Sequence, residues 1–362
     1  MTYDVIIAGA GPAGTAAGFD LVSAGYSVLL LDRKPFPRKK ACAGGLTPRA
    51  VDRYAYDISG LIERSFSKMV IHRPDGSFFT IKANRALCHM TQREDLDLFC
   101  LNQARAAGAR FQIVDRIQAL VQQRGAVTLH TSAGPLTASY VIGADGANSR
   151  VRALLNRQGR PYPIRKIHGL EANVQLNRPD QESMAFAFFR KLPGYYWIFP
   201  KKTHINIGIF SHEKPPVSVR NLAVFAGERL GTDALTDITG YPIGTGGGHG
   251  FQSPGAGRVL LAGDAAGFAE SIFGEGIYFA VTSGRAAAAA IHRALEEKKG
   301  ALSVYKRSLA GMCLDLGVSR YGAGALYRWT EPCLKFAGIP VIHQHFAKGY
   351  AAGRPLSRLF LP

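Results

Sequence analysis

Apolar residues in this chain gather in short unbroken runs toward both ends and in alternating stretches between them. Asp4-Val-Ile-Ile-Ala8 and Ser27-Val-Leu-Leu-Leu31 are two such runs, and runs of this length predict strands buried on both faces of a parallel sheet. Thr15 to Ala24 predicts a helix between them that stops at Gly25, so the segment reads as a βαβ unit closed by Asp32. Tyr140-Val-Ile-Gly143 and Arg258-Val-Leu-Leu-Ala262 predict two more buried strands. Helices are expected over Gln92–Ala107, where Leu96, Phe99, Cys100 and Gln103 stand near helical spacing, and over the alanine-rich Ile277–Glu297.

The middle of the chain is patterned differently. Met69 to Ile81 flanks Asp75-Gly76, a hairpin turn signal, and strands near 117–122 and 126–132 flank Arg124-Gly125. From about 166 to 250 the segments Ala185–Arg190, Tyr195–Pro200 and His204–Phe210 predict antiparallel strands, with one helix at 217–230. Residues 33–50 read as a loop bearing Pro35, Pro37, Gly44, Gly45 and Pro48, with a helix following Pro48.

Glycine placement assigns chemistry to this framework. Gly9-Ala-Gly11-Pro12-Ala13-Gly14 follows a strand and opens a helix, which is the context of a dinucleotide-binding turn. Gly9 permits the turn, Gly11 admits a pyrophosphate and Gly14 lets helix and strand pack closely. Asp32, eighteen residues beyond Gly14, stands where an acid accepts adenosine ribose hydroxyls. Far downstream, Gly263-Asp264-Ala-Ala-Gly267 leads to Gly274-Glu275-Gly276 and the helix beginning at Ile277. Asp145-Gly146 and Gly263-Asp264 both close strands, and in a doubly wound sheet such carboxyl ends point at the ligand crevice. A helix start at Ile277 would stabilise negative charge on a reduced flavin ring, which favours FAD over NAD. Read alone, Gly263-Asp264 is also an ordinary strand-to-helix cap.

Composition adds one outlier. With 44 Lys and Arg against 26 Asp and Glu, the chain of 362 residues carries +18. That charge favours anionic partners such as phospholipid headgroups or a phosphorylated substrate; nucleic acid is not expected, since no nucleic-acid motif accompanies it. Arg33, Lys34, Arg38, Lys39 and Lys40 share one loop, and residues 306–358 mix basic side chains with Tyr327, Trp329, Phe336 and Phe346. The mixture suits either an anionic membrane surface or a basic helix with a buried aromatic face. No apolar run reaches spanning length and Val5–Ala10 is too short for a signal peptide, so a cytoplasmic, peripherally attached protein is expected. Five cysteines and the scattered histidines show no metal spacing, and no metal is expected.

Gly9–Gly14, Asp32, Arg93 with Asp97, Asp145-Gly146 and Gly263-Asp264 together resemble the para-hydroxybenzoate hydroxylase-type FAD superfamily. Within it, Cys42-Ala-Gly44-Gly45-Leu46-x-Pro48-Arg49 and Tyr195-x-Trp197-x-Phe199-Pro200 resemble the geranylgeranyl reductase family. The likeness covers residues 3 to about 295, and Glu270-Ser271 departs from the Asp/Asn-Pro that commonly precedes the Gly-Glu-Gly turn. The implied fold is α/β: a Rossmann-like FAD-binding domain (residues 1–68, 83–165 and 251–298) with an inserted, mainly antiparallel sheet domain (69–82 and 166–250). A C-terminal helical region (299–362) completes it.

The implied cofactor-binding set is Gly9, Gly11, Pro12, Ala13, Gly14, Asp32, Arg33, Cys42, Gly44, Gly45, Arg93, Asp145, Gly263, Asp264, Gly274, Glu275, Gly276 and Ile277. Arg93 either reaches the FAD phosphates or pairs with Asp97. Tyr195, Trp197 and Phe199 project from one face of a strand; with Pro200 they are expected to bind an apolar isoprenoid-like substrate, the alternative being plain sheet core. The resemblance places Cys42 near flavin and substrate as a catalytic candidate, whereas a free thiol is as readily core filling. Cys42, Tyr195 and a bound water are the candidates for the acid. Only one complete dinucleotide fingerprint is present, since His249 occupies the third glycine position of Gly244–Gly250. NAD(P)H or another external donor would therefore bind transiently. The expected activity is reduction of carbon–carbon double bonds in a geranylgeranyl or prenyl substrate by hydride transfer from flavin N5. Aromatic hydroxylation and a non-turnover flavin-binding role at a membrane are the alternatives.

Overall fold

The computed structural model describes residues 2–175, 182–213, 217–247, 253–297 and 300–359. Gly248, His249 and Gly250 of the glycine-rich stretch, and the expected domain joins at 250–251 and 298–299, lie outside the described residues. Three sheets organise the chain. The first has eight strands, and its spine runs Val259–Leu261, Gly134–Gly143, Thr2–Ala8, Val28–Asp32, Arg110–Ile113, all parallel. Val5, Ile6, Ile7 and Leu29 to Leu31 are almost wholly buried, as strands covered on both faces require. The chain leaves Thr2–Ala8 toward both sides of the sheet, which opens a crevice at that strand's carboxyl end.

Small residues decide what closes over the crevice. Helix Pro12–Ser23 starts with proline at its first turn and buries Ala13, Gly14, Ala16, Ala17 and Gly18. Helix Ile277–Glu297 crosses it at Gly284, where a Cβ would stand 2.1 Å from the Ala13 carbonyl oxygen. No other residue permits that approach. It brings the downstream turn at Gly263 against the first glycine turn, where a Cβ on Gly263 would meet Ala13 Cβ at 3.1 Å.

The second sheet has seven strands in the order Thr236–Thr245, Arg165–Val174, Ile205–Ser211, Gly194–Pro200, Met184–Ala187, Lys68–His72, Phe78–Lys82. All neighbours pair antiparallel except Met184–Ala187 with Lys68–His72. Every residue of Gly194–Pro200 and Ile205–Ser211 is buried. One face carries Tyr196, Ile198, Ile207 and Ile209 and packs on helix Val219–Leu230 through Leu222 and Phe225. The other carries Tyr195, Trp197, Phe199 and Phe210, joined by Phe186 and by Leu334 and Ala347 of the C-terminal helices. The C-terminal helical region is thus part of both cores: Tyr305 is fully buried with the first sheet, while helix Pro340–Ala351 leans on the second. A third sheet of Gly45–Leu46, Cys88–Met90 and Arg64–Phe66 anchors the loop that carries Cys42.

Candidate active site

One cavity of about 520 Å³, within the usual range for small-molecule sites, lies between the two large sheets. At one end it is lined by Gly9, Gly11, Pro12 and Ala13. Gly9 holds φ +106°, and a Cβ there would strike the Ala144 carbonyl oxygen at 2.2 Å. Gly14 does not line the cavity; it lies beneath the turn, where its Cβ would fall 1.8 Å from the Gly9 carbonyl oxygen. Gly11 caps the helix without a side-chain hydrogen bond, and its missing side chain faces open space, with Arg38 Nη2 nearest at 3.6 Å. Unpaired first-turn amides beside open space form an anion cradle.

Asp32 accepts backbone N–H bonds from Ala10 (3.1 Å), Arg33 (2.8 Å) and Lys34 (3.3 Å), which orient its carboxylate and leave lone pairs for ribose hydroxyls. Arg38 stands 3.4 Å from Asp32 and 3.6 Å from Asp97, and its buried Nε has no partner. An orphaned guanidinium donor beside the glycine cradle fits a phosphate-bearing ligand. Arg38 was visible only as one charge in a basic run; its position next to Gly11 comes from the fold. Arg93 lines the cavity too, yet its guanidinium is engaged in a fork with Asp97 (3.0 and 2.9 Å), the i+4 pairing.

The other expected ligand residues divide by where their side chains go. Asp145 is half-buried and caps helix Arg150–Arg157, accepting from Ser149 Oγ (2.5 Å), Arg150 N (2.6 Å) and Val151 N (3.2 Å). Glu275 turns to Arg49 and Thr47, and Arg49 reaches on to Asp315 at 3.0 Å, tying the Gly274–Gly276 turn to the C-terminal helices. Asp264 stands half-buried at the cavity wall; desolvation raises its pKa while the Lys40 ammonium opposes the rise. Lys40 stands 3.0 Å over the Tyr241 ring, and burial pushes it down to about 8 against the pull of Asp264. Arg33, Gly44, Gly45, Gly263, Gly274, Gly276 and Ile277 all line the cavity.

At Glu270-Ser271 the turn is rebuilt by the acid itself. The Glu270 carboxylate accepts from Ile272 N (2.5 Å), Phe273 N (2.7 Å) and Ser319 Oγ (2.5 Å), and Tyr195 donates its hydroxyl proton to the Phe273 carbonyl at 2.5 Å. A side-chain acceptor thus holds the turn that a proline would otherwise stiffen.

The other end of the cavity is aromatic. Tyr195 stacks on Phe210 at 5.0 Å, and Phe186 meets Tyr195, Phe199 and Phe273 at 5.1, 5.4 and 5.3 Å. Trp197 lies across Gly208, where a Cβ would sit 2.0 Å from the indole, and its Nε1–H bonds Asn206 Oδ1 at 2.8 Å. Pro200 is not on this wall. Side chains alternate along a strand, so position 200 points to the face opposite 195, 197 and 199. Phe346 and Tyr350 complete the wall from helix Pro340–Ala351, whose sequence carried no diagnostic motif.

Cys42 stands where the two ends meet. Its N–H donates to Glu171 Oε1 at 2.9 Å, and its Sγ accepts from Gly44 N at 3.4 Å. Glu171 and Lys201 were missed by sequence reasoning. Both are buried: Glu171 stands within strand Arg165–Val174, which the apolar pattern does not single out, and Lys201 directly follows strand Gly194–Pro200, its Nζ donating to the Thr91 carbonyl at 2.8 Å.

Comparison with known proteins agrees with this geometry. A family model described as "FAD binding domain" matches residues 2–208. A geranylgeranyl diphosphate reductase of Rhodobacter capsulatus is 32% identical over 83% of this chain and 78% of its own. A digeranylgeranylglycerophospholipid reductase of Methanopyrus kandleri is 27% identical over 85% of this chain and 81% of its own. Among solved structures, a geranylgeranyl bacteriochlorophyll reductase-like protein of Thermoplasma acidophilum shares the fold with a TM-score of 0.81. It is 19% identical and covers 99% of this chain and 97% of that one.

Proposed function

Since the chain belongs to the geranylgeranyl reductase family of FAD-dependent oxidoreductases, we propose that it reduces carbon–carbon double bonds of a geranylgeranyl or other prenyl-type substrate. The observation that carries this reading is the joining of a glycine cradle and an aromatic wall in one cavity. An isoprenoid chain matches a wall of stacked rings by shape and by lack of polar demand.

Gly9, Gly11, Pro12, Ala13 and Gly14 would form the pyrophosphate turn, Asp32 and Arg33 the ribose end, and Arg93, Asp145 and Asp264 the walls between them. The loop of Cys42, Gly44 and Gly45 would face the Gly274–Ile277 turn across the reactive ring. When bound, FAD in its reduced form supplies a hydride from N5. The chain's own part is to hold the alkene against Tyr195, Trp197 and Phe199, to exclude water from it, and to deliver a proton. We assign FAD binding to residues 1–68, 83–165 and 251–298, and substrate binding mainly to 69–82 and 166–250.

The external donor in this reading is NAD(P)H or another reductant that binds transiently. The protein is placed in the cytoplasm, attached peripherally to an anionic membrane. Among the described residues no helix is long and apolar enough to cross a membrane. Supporting the surface contact, Leu314, Val318 and Tyr321 stand exposed on helix Ala310–Arg328, and Trp329, Phe336 and Val341 are exposed along the segment that follows, Trp329 next in sequence to exposed Arg328 and Phe336 to exposed Lys335. Sedimentation with anionic but not neutral liposomes at low salt tests that contact.

The activity is tested by mixing the reduced holoenzyme anaerobically with geranylgeranyl diphosphate. Product mass should rise by about two units per bond reduced, because hydride and proton both add. No gain with any of several prenyl substrates refutes the reading, and oxygen uptake with a hydroxylated product selects the hydroxylase instead.

A further inference from the structure

We propose that Glu171 is the general acid that protonates the substrate double bond, an inference that rests on the prenyl-reductase reading. Of the acids lining the cavity among the described residues, Glu171 alone stands on the seven-stranded sheet. Ile167 and Glu171 of strand Arg165–Val174 face the aromatic side, while Ala172 and Val174 pack toward the helix beneath. Across the ladder Glu171 is opposite Gly208, and Gly208 is opposite Trp197. Because the indole lies over the missing Gly208 side chain, the aromatic wall runs from Trp197 toward the carboxyl. An alkene lying on that wall therefore has an acid at its edge.

The carboxyl sits where burial favours its protonated form and where donors already face the charge it would take on. It is 8% exposed and, among the described residues, makes no ion pair within 4.0 Å. Burial raises its pKa, and the groups facing it that oppose the rise are the Cys42 N–H, Asn206, Lys201 and Arg93. Its Oε1 accepts the Cys42 N–H at 2.9 Å, and Asn206 Nδ2, held by Trp197, stands 3.5 Å from Oε2. These donors are in place before the proton leaves, so the carboxylate that forms needs no reorganisation. Tyr195, another candidate, has its hydroxyl proton engaged by the Phe273 carbonyl.

In the step, the alkene π pair forms a C–H bond with the Glu171 proton as the O–H bond breaks. The neighbouring carbon takes a hydride from the reduced flavin, which is thereby oxidised. Two C–H bonds replace one π bond, and water reprotonates the carboxylate before the next turnover.

The test uses flavin-loaded wild type, E171Q and E171D, each reduced anaerobically and mixed with geranylgeranyl diphosphate across pH. E171Q keeps an acceptor for the Cys42 N–H, so its flavin content and reduction should match wild type. Its single-turnover flavin reoxidation should be slower by about 10²-fold or more. It should also lose the decline that wild type shows as pH rises. E171D should keep that decline at a reduced rate. Independently of turnover, the infrared carbonyl band of a protonated carboxyl at neutral pH should be present in wild type and missing in E171Q. The proposal is overturned if E171Q reacts within about threefold of wild type with the same pH profile. Equal losses in E171Q and E171D with an unchanged profile, or no E171Q-sensitive carboxyl band, overturn it as well. Wild type that reduces no prenyl substrate overturns the reading of the site and this step with it, whereas active wild type matched by E171Q overturns the step alone.

Discussion

Replacing Gly208 with alanine adds one methyl group at the point where the Trp197 ring crosses the second sheet. That methyl carbon would stand 2.0, 2.2 and 2.5 Å from three indole atoms, and an aromatic ring cannot yield as a flexible chain would. The indole must rotate away, which breaks its 2.8 Å bond to Asn206. Overpacking of this kind costs about 1–3 kcal/mol and the lost hydrogen bond about 1, so G208A should destabilise by roughly 2–4 kcal/mol. The chain has two tryptophans, and the other, Trp329, is 57% exposed. In a W329F background Trp197 becomes the sole tryptophan, and its emission should shift to the red in G208A while the denaturation midpoint falls. Flavin content should hold, since the cradle lies on the other sheet, and KM for the prenyl substrate should rise. Unshifted emission with stability within about 0.5 kcal/mol of the parent would refute the argument.

Three further outcomes follow from the same geometry. G11A should fold with near-parental stability but purify with little flavin, because its methyl meets nothing closer than Arg38 at 3.6 Å yet fills the phosphate approach; G14A should lose both, its methyl falling 1.8 Å from a carbonyl oxygen. The flavin-to-protein absorbance ratio and denaturant unfolding separate the two. Arg49→Met should cost about 3–5 kcal/mol in denaturant, because it leaves the half-buried Glu275 and buried Asp315 without their shared cation. In flavin-free protein, Lys40 titrates at about 8 folded against 10.5 as a free side chain, so the native state binds fewer protons across that window. Stability should therefore rise with pH from about 8 toward 10.5, and K40M should lose that rise when thermal unfolding is followed over the same range.

What was legible in the chain was local. Unbroken apolar runs at 4–8, 27–31 and 140–143 became the parallel spine, and the helix expected at Ile277–Glu297 has those bounds. The same alternation rule that set Tyr195, Trp197 and Phe199 on one face also excludes Pro200 from it, though the motif had grouped all four. Asp145 and Glu275 show the limit of motif reading. Their positions beside the cavity follow from the glycines next to them, but their carboxylates are taken by Ser149 and by Arg49 and Thr47. Arg38, Glu171 and Lys201 could not be singled out, because an isolated charge gives no sign of which way it will face.

By itself the sequence determined the two glycine turns, the strands that carry them and the aromatic face, since each depends on backbone sterics or side-chain period within a few residues. Only the tertiary structure decided that both turns border one cavity, that Glu171 stands at the end of the aromatic wall, and that Phe346 and Tyr350 close it. Those facts depend on glycines such as Gly284 and Gly9, which let distant segments approach within contact. Their effect lies in a partner far along the chain, and no local pattern names that partner.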